Sequence, residues 1–345
     1  MAAHPPAAGT APPDPRLTAR PAADAGSHHL RIAGVALDLR FSERDLEPMV
    51  LPAVGMHRSE LVPGEPSVPW LVSDARTGDH AAWDAETLRV DRLPGGGIRS
   101  THPDPPLVEV EHPTTGIELW GSTAGLGSAE SRSHPAATAL SNLLARDGRQ
   151  TLHVGAVEID GNAALIVGPP GAGKSTTALA AAVCGAGFIG DDACALDDLQ
   201  HWTDGAPTVH ALFASAKLWP DSGDELGAAA WTTMGRTSAD KPVVSVDGRV
   251  RVTNRGRVTA LVILRPPGPV VTGPTPIAAA HALRGLIPTV RSNHIDDREL
   301  RRWAPLAAEV ARRVPAYAIG LGWDLPAVAG AVVDAIEAGA RRGPS

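Results

Sequence analysis

Up to about residue 150 the apolar positions come in short alternating stretches. Beyond it they fuse into longer runs broken by glycine and proline. Arg31–Phe41 carries Ile32, Val35, Leu37 and Leu39 on a partial period of two, the mark of a half-buried strand. Val68–Val72, Thr87–Leu93, Leu107–Val110 and Ile117–Trp120 read the same way, and His112-Pro113-Thr114-Thr115-Gly116 predicts a hairpin loop between the last two. Loops are expected around Gly64 and at Pro94–Gly97, and a first helix over Pro135–Arg146, with proline near its start. Glu109 and Glu111 share one face of their strand and read as a solvated edge.

From Thr151 the pattern sharpens. It predicts a strand over Thr151–Ile159, a two-residue turn at Asp160-Gly161, and a short apolar strand over Ala163–Val167. A glycine-rich stretch, an alanine-rich helix over Thr177–Cys184 stopped by Gly185 and Gly187, and a strand over Phe188–Leu196 follow. Further on, Thr208–Phe213, Val243–Val246, Val258–Leu264 and Ala316–Leu321 read as strands, and Ile277–Ile287, Glu299–Arg313 and Pro326–Ala340 as helices. The continuous run Val258–Leu264 predicts a strand buried on both faces.

These elements define an α/β chain in three parts. Residues 1–29 hold six prolines and nine alanines with almost no large apolar side chain, which predicts a disordered tail whose removal leaves the melting temperature unchanged. Residues 30–148 form a small strand-rich unit, and residues 149–345 a larger unit of mixed sheet and flanking helices. The chain has 345 residues, 43% of them hydrophobic, enough for a sizeable core. No apolar run approaches the roughly 20 residues that span a bilayer, so no membrane partner is expected. The net charge of −7 argues against a nucleic-acid partner. Two cysteines with no metal spacing, Cys184 and Cys194, fit a reducing cytoplasm.

The chemistry concentrates at Gly168-Pro169-Pro170-Gly171-Ala172-Gly173-Lys174-Ser175-Thr176, which matches G-x-x-x-x-G-K-[ST] between a strand and a helix. Glycines let such a loop curl so that successive N–H groups line an anion nest, and the following helix turns its positive end to the same point. In that reading Lys174 reaches the β- and γ-phosphates of a nucleoside triphosphate such as ATP, and Ser175 offers its hydroxyl to Mg²⁺. Asp191-Asp192 follow Lys174 by 17 and 18 positions. Neighbours on a regular strand face opposite ways, so both serve one site only if the chain twists there, which Gly190 would permit. One carboxylate would then accept the proton of an attacking hydroxyl while the other holds Mg²⁺.

The block Leu152-His153-Val154-Gly155-Ala156-Val157-Glu158-Ile159-Asp160-Gly161, the loop and helix after it, and Gly185-Ala186-Gly187-Phe188-Ile189-Gly190-Asp191-Asp192 resemble the HPr kinase/phosphorylase family. The resemblance implies an HPr-kinase-like fold for the second unit. It also implies Asp191 as the acid/base toward an acceptor serine, Asp192 as the Mg²⁺ carboxylate and His153 beside the reacting phosphoryl group. Val154 stands where that family has glycine directly after the histidine, and its L-E-x-R-G-x-G signature is absent. The chain is more similar to the shorter HPr-kinase-like proteins of bacterial peptide natural-product clusters, such as those of lasso peptides. It resembles them at Ala216-Lys217-Leu218-Trp219-Pro220-Asp221, Asp240-Lys241, Val314-Pro315-Ala316-Tyr317 and Gly322-Trp323-Asp324. That implies a kinase acting on a peptide serine, and a homo-oligomer.

Only three of the 31 basic residues are lysine: Lys174, Lys217 and Lys241. In a chain that otherwise uses arginine, a retained lysine marks a place where a compact ammonium is needed. Lys217 and Lys241 are therefore candidates to stabilise charge on a transferring phosphoryl group, and Arg236 is a similar candidate by its charge. Two rival readings stay open: a kinase of the same fold acting on a small hydroxyl compound, and a nucleotide-binding scaffold with little turnover.

Overall fold

The computed structural model describes residues 26–60, 62–74, 89–102, 106–227, 230–266, 268, 271–290 and 297–343. Residues 1–25 of the expected tail, and Thr87 and Leu88 at the head of one expected strand, lie outside them. The described residues form a mixed α/β fold of three sheets with flanking helices. Among them, no helix is long and apolar enough to cross a membrane.

The first sheet uses β1 (Ser27–Ile32), β2 (Val35–Phe41), β3 (Val68–Asp74), β4 (Arg89–Arg92), β5 (Ile98–His102), β6 (Leu107–His112) and β7 (Gly116–Gly121). Their order is β1-β2-β3-β7-β6-β5-β4, parallel at β2/β3 and β3/β7 and antiparallel elsewhere. The stretch expected as one strand at Arg31–Phe41 is thus a hairpin, turned at Ala33-Gly34, both with positive φ. The expected tail boundary at residue 29 is corrected as well. Ser27, His28 and His29 pair with Arg40, Leu39 and Asp38, and the His29 carbonyl accepts the Ser59 amide at 3.0 Å. Deleting residues 1–29 therefore removes ladder hydrogen bonds, and a differential melt of that truncation is expected to fall by several degrees, whereas removal of 1–25 alone leaves β1 intact.

The helices Glu47–Val54 and Ala137–Arg146 contribute Val50, Ala53, Leu140 and Leu144 to the core under this sheet. The second is clamped by the two glutamates expected at a solvated edge, and that expectation fails: both are buried. The N-cap position is Ala136, which has no side chain to cap with. Glu109 supplies the missing acceptor, taking the amides of Thr138 at 2.7 Å and Ala139 at 3.1 Å. A carboxylate there also meets the positive end of the helix dipole. Glu111 lies 3.1 Å from Arg146 in the last turn, and burial pushes its carboxyl above the usual range.

The second sheet orders as β11-β9-β10-β17-β13-β12-β8. Its strands are β8 (Arg149–Leu152), β9 (Gly155–Ile159), β10 (Asn162–Val167), β11 (Gly187–Gly190), β12 (Cys194–Asp197), β13 (Thr208–Ala211) and, after the third sheet, β17 (Arg255–Arg265). The small third sheet, β14 (Ser215–Lys217), β15 (Thr232–Arg236) and β16 (Pro242–Ser245), orders β14-β16-β15. Finally β18 (Thr272–Pro276) pairs with β19 (Ala316–Gly320), which runs parallel to the second half of β17. Alternation along β10 explains the layering: Ala164 and Ile166 face the helices Lys174–Val183 and Leu325–Arg342, while Leu165 and Val167 face Ala279–Leu286 and Asp297–Arg313. The continuous apolar run of β17 is covered on both sides in the same way.

Two expected strands are each cut in two, and both cuts matter below. Thr151–Ile159 is β8 and β9 with His153 and Val154 between them; Phe188–Leu196 is β11 and β12 with Asp191, Asp192 and Ala193 between them.

The expected unit boundary falls at Gly148, yet one apolar core crosses it. Leu30, Phe41 and Leu144 share a cluster with Ala193, Ala195, Leu212 and Phe213. His57 spans the same boundary, its Nε2 donating to the Leu212 carbonyl at 3.1 Å. Burial lowers its pKa from 6.5 to about 4, so folded His57 stays neutral while the unfolded chain takes up a proton. Stability is then full above the unfolded pKa and is lost as pH falls from 6.5 toward 4, by about 3 kcal/mol from this residue. His57→Gln keeps a donor for Leu212 but does not titrate. Urea unfolding of this variant between pH 7 and pH 4 is expected to show a flatter fall in stability than wild type; equal slopes would show that His57 contributes nothing to it.

Candidate functional site

The loop Gly168–Gly173 leaves the end of β10 and enters the helix Lys174–Val183. Gly171 (φ 80°) and Gly173 (φ 93°) sit in the left-handed region that glycine alone enters at no cost. At Gly173 a Cβ would fall 2.8 Å from Leu321 Cδ1, which a shift of that side chain could relieve, so it is the backbone angle that demands glycine. Lys174 is buried, and its ammonium folds back on the loop, donating to the carbonyls of Gly168 at 3.0 Å and Pro169 at 3.3 Å. Burial lowers its pKa; the charges of Asp191 and Asp192 oppose that, and Lys241 adds to it.

The chain break after β11 delivers the two aspartates to this loop. The twist lies at Asp192 itself, at φ 67°, and not at Gly190 as expected. Aspartate is among the few side chains that enter this region with any frequency. Gly190 has another role: a Cβ there would meet Cys194 Sγ at 2.8 Å.

Asp191 is buried, accepts the Lys217 amide at 3.1 Å, and shares a hydrogen bond with the Ser175 side chain. Its carboxyl is raised to about 6, by burial first and then by the like charge of Asp192, against the pull of those hydrogen bonds. Asp192 lies further out. Its Oδ2 takes the Lys217 ammonium at 2.7 Å, and its Oδ1 lies 2.6 Å from His153 Nε2. His153 reaches this point because its own strand breaks there, its amide donating to the Thr289 carbonyl at 2.5 Å.

Lys174, Ser175, Asp191, Asp192, His153 and Lys217 therefore form one connected group. Lys241 is at its rim, its ammonium 4.2 Å from the centre of the Trp219 ring. Arg236 is not brought in. It turns back along its own hairpin, donating to the carbonyl of Asp240 at 2.9 Å and to its carboxylate at 3.1 Å, on an exposed surface. Arg236 ends β15 and Lys241, five residues later, stands just before β16; the first side chain bonds to Asp240 and the second lies over Trp219.

Among the described residues no group of three or more histidine, cysteine or acidic side chains could hold a metal by itself. The donor set at the loop fits a different arrangement. Ser175 and the two carboxylates are hard oxygen donors, and their mutual repulsion is what a divalent cation relieves. Mg²⁺ is commonly held by one or two carboxylates together with substrate phosphates.

Sequence reasoning assigns no role to one side of the site beyond Thr176 of the motif, although Trp219, Asp221 and Trp323 fall in blocks it marks. A cleft beside Gly171–Gly173 is lined by Thr176, Trp219, Asp221, Ser222, Glu225 and Trp323. Thr176 Oγ1 donates to Ser222 Oγ at 3.1 Å and ties the loop helix to that wall. The signal was present: Trp219 and Trp323 each stand just before a helix, in Trp-Pro-Asp and Gly-Trp-Asp, where no core position is expected.

No protein-family model matches the chain, and no curated protein does. Among solved structures, the chain is similar to the Hpr(Ser) kinase/phosphatase from Coxiella burnetii, with 17% identity, over 56% of this chain and 97% of that one, at a TM-score of 0.30. A likeness this slight fixes neither fold nor activity.

Proposed function

We propose that this chain is a P-loop phosphotransferase that moves the γ-phosphoryl group of ATP to a hydroxyl, most simply a serine of a peptide in a biosynthetic pathway. The observation that carries the reading is the convergence of Lys174 and Ser175 with Asp191, Asp192, Lys217 and His153 at one loop. The sequence blocks that resemble those of peptide-cluster kinases favour a peptide acceptor. The loop amides and Lys174 hold the phosphates, which requires Lys174 to exchange its carbonyl contacts for phosphate oxygens.

The acceptor oxygen bonds to the γ-phosphorus, the bond to the β–γ bridging oxygen breaks, and ADP leaves with that electron pair. Asp191 takes the hydroxyl proton; Lys217 and His153 hold Asp192 in place. Ser175 and Asp192 would hold Mg²⁺, which supplies charge neutralisation for the phosphates.

One contact favours a second assignment of the two carboxylates. The bond between Ser175 and Asp191 is the pairing expected of two groups on the metal side, which leaves the more open Asp192, with His153, to face the acceptor.

Mass spectrometry of candidate serine peptides after incubation with ATP and Mg²⁺ tests the function. The expected result is a gain of one phosphate. ATP binding without transfer to any peptide or small hydroxyl compound would instead support a scaffold.

A further inference from the structure

The cleft beside the glycine loop has two unlike walls and two large exposed rings. Trp323 is 75% exposed and Trp219 50%, the two most accessible tryptophans among the described residues whose large apolar side chains stand in solvent, and both line this one cleft. Burial does not explain them, and their positions are built. Asp324 caps the helix that follows Trp323, accepting the Ala327 amide at 2.9 Å, and Lys241 sits over one face of Trp219 at 4.2 Å.

The charged side chains that line the cleft are both acidic. Lys174, at the head of the loop helix, and Lys241, over Trp219, stand outside the lining and near enough to affect one another. Asp221 and Glu225 stand on the wall that Ser222 ties to Thr176, one helical turn apart. A triphosphate is repelled from that acidic wall and drawn to the lysine end. Of the parts of a nucleotide, the one an acidic wall can accept is a base with N–H donors, and what the indoles can hold is its flat ring.

We infer that the cleft between Trp219 and Trp323 takes the base of the nucleoside triphosphate, stacked on an indole, with an exocyclic amine turned to Asp221 or Glu225. The inference deepens the phosphotransferase reading and rests on it for the placement of the phosphates. Stacking supplies affinity, since every base offers a π-face. The carboxylates select for the amine, because a carbonyl oxygen at that place would meet a second acceptor. Lys241, over Trp219 and near enough to Lys174 to affect it, marks where base and phosphates divide.

The test is calorimetric titration with Mg²⁺ of ATP, GTP, inosine triphosphate and inorganic tripolyphosphate. Trp323→Ala changes an exposed side chain and is expected to fold normally. It should weaken binding of the better of ATP and GTP about tenfold and leave tripolyphosphate unchanged. In the wild type, at least one of ATP and GTP should bind several-fold more tightly than inosine triphosphate, which has no exocyclic amine. Trp219→Leu serves as an independent second variant with the same expectation for the nucleotide. If both variants bind nucleotide as the wild type does, or if they weaken tripolyphosphate equally, the base site is wrong. If inosine triphosphate matches both amine-bearing nucleotides, the role of the acidic wall is wrong. Lys174→Ala separates this from the underlying reading: it should weaken all four ligands, and unchanged tripolyphosphate binding there would remove the phosphate loop itself.

Discussion

Replacing Lys174 by alanine is expected to lower phosphoryl transfer by at least 10²–10³-fold, the scale of losing one well-placed charge at a developing anion. The folded protein gives the reason. Lys174 is held at the mouth of the loop by the Gly168 and Pro169 carbonyls, within reach of both aspartates. Without it, two carboxylates face an incoming triphosphate with Lys217 already committed to Asp192. The fold should stay intact, with any loss of stability confined to the donor taken from the Gly168 and Pro169 carbonyls, since alanine suits a helix rich in alanine. A steady-state rate measured beside a thermal melt reads both effects. A folded Lys174→Ala protein with full activity would end the P-loop reading.

Asp191→Asn and Asp192→Asn should separate the two carboxylates. Both changes keep size and shape, and asparagine accepts the left-handed backbone at position 192 as aspartate does. If Asp191 takes the proton, Asp191→Asn retains nucleotide binding in the presence of Mg²⁺ and loses about 10²–10⁴-fold in turnover, the usual worth of a positioned base. Asp192→Asn then raises the Mg²⁺ concentration needed for half-maximal rate. The reversed pattern would establish the second assignment, with Asp191 beside Ser175 on the metal side. Loss of metal affinity alone in both variants would leave the site without a base among these two residues.

The loop itself was legible from the sequence because its motif, the strand before it and the helix after it are all local features. The cuts in the neighbouring strands were not. Val154, Ala193 and Cys194 continue the apolar runs across them, and no period in the sequence marks a residue with positive φ. The helix Glu47–Val54 was hidden by Pro48 and Pro52, though proline in the first turn of a helix is favourable. Glu109 and Glu111 misled for a related reason. Strand periodicity places them on one face but does not show that a helix comes to rest there. Lysine scarcity pointed to Lys217 and Lys241, and the structure puts both near the loop; charge alone pointed to Arg236, which turns away.

The core that crosses Gly148 makes the first half of the chain a structural part of the second half's chemistry. Lys217 rides on a segment pinned from the other side: the Ala214 amide bonds to the Ala53 carbonyl at 2.7 Å, and Ser215 Oγ to the Ser133 carbonyl at 2.8 Å. Ala193, next to Asp192, packs in the same apolar cluster as Phe41 and Leu144. The ammonium and the carboxylate that meet at the loop are thus each fastened to helices and core of the chain before Gly148, which itself carries none of the six connected side chains. A loop-and-helix fragment cut away at Arg149 would keep every residue of the motif and lose the frame that aims them. Substitutions beneath the first sheet would then register as changes in rate before they register as unfolding.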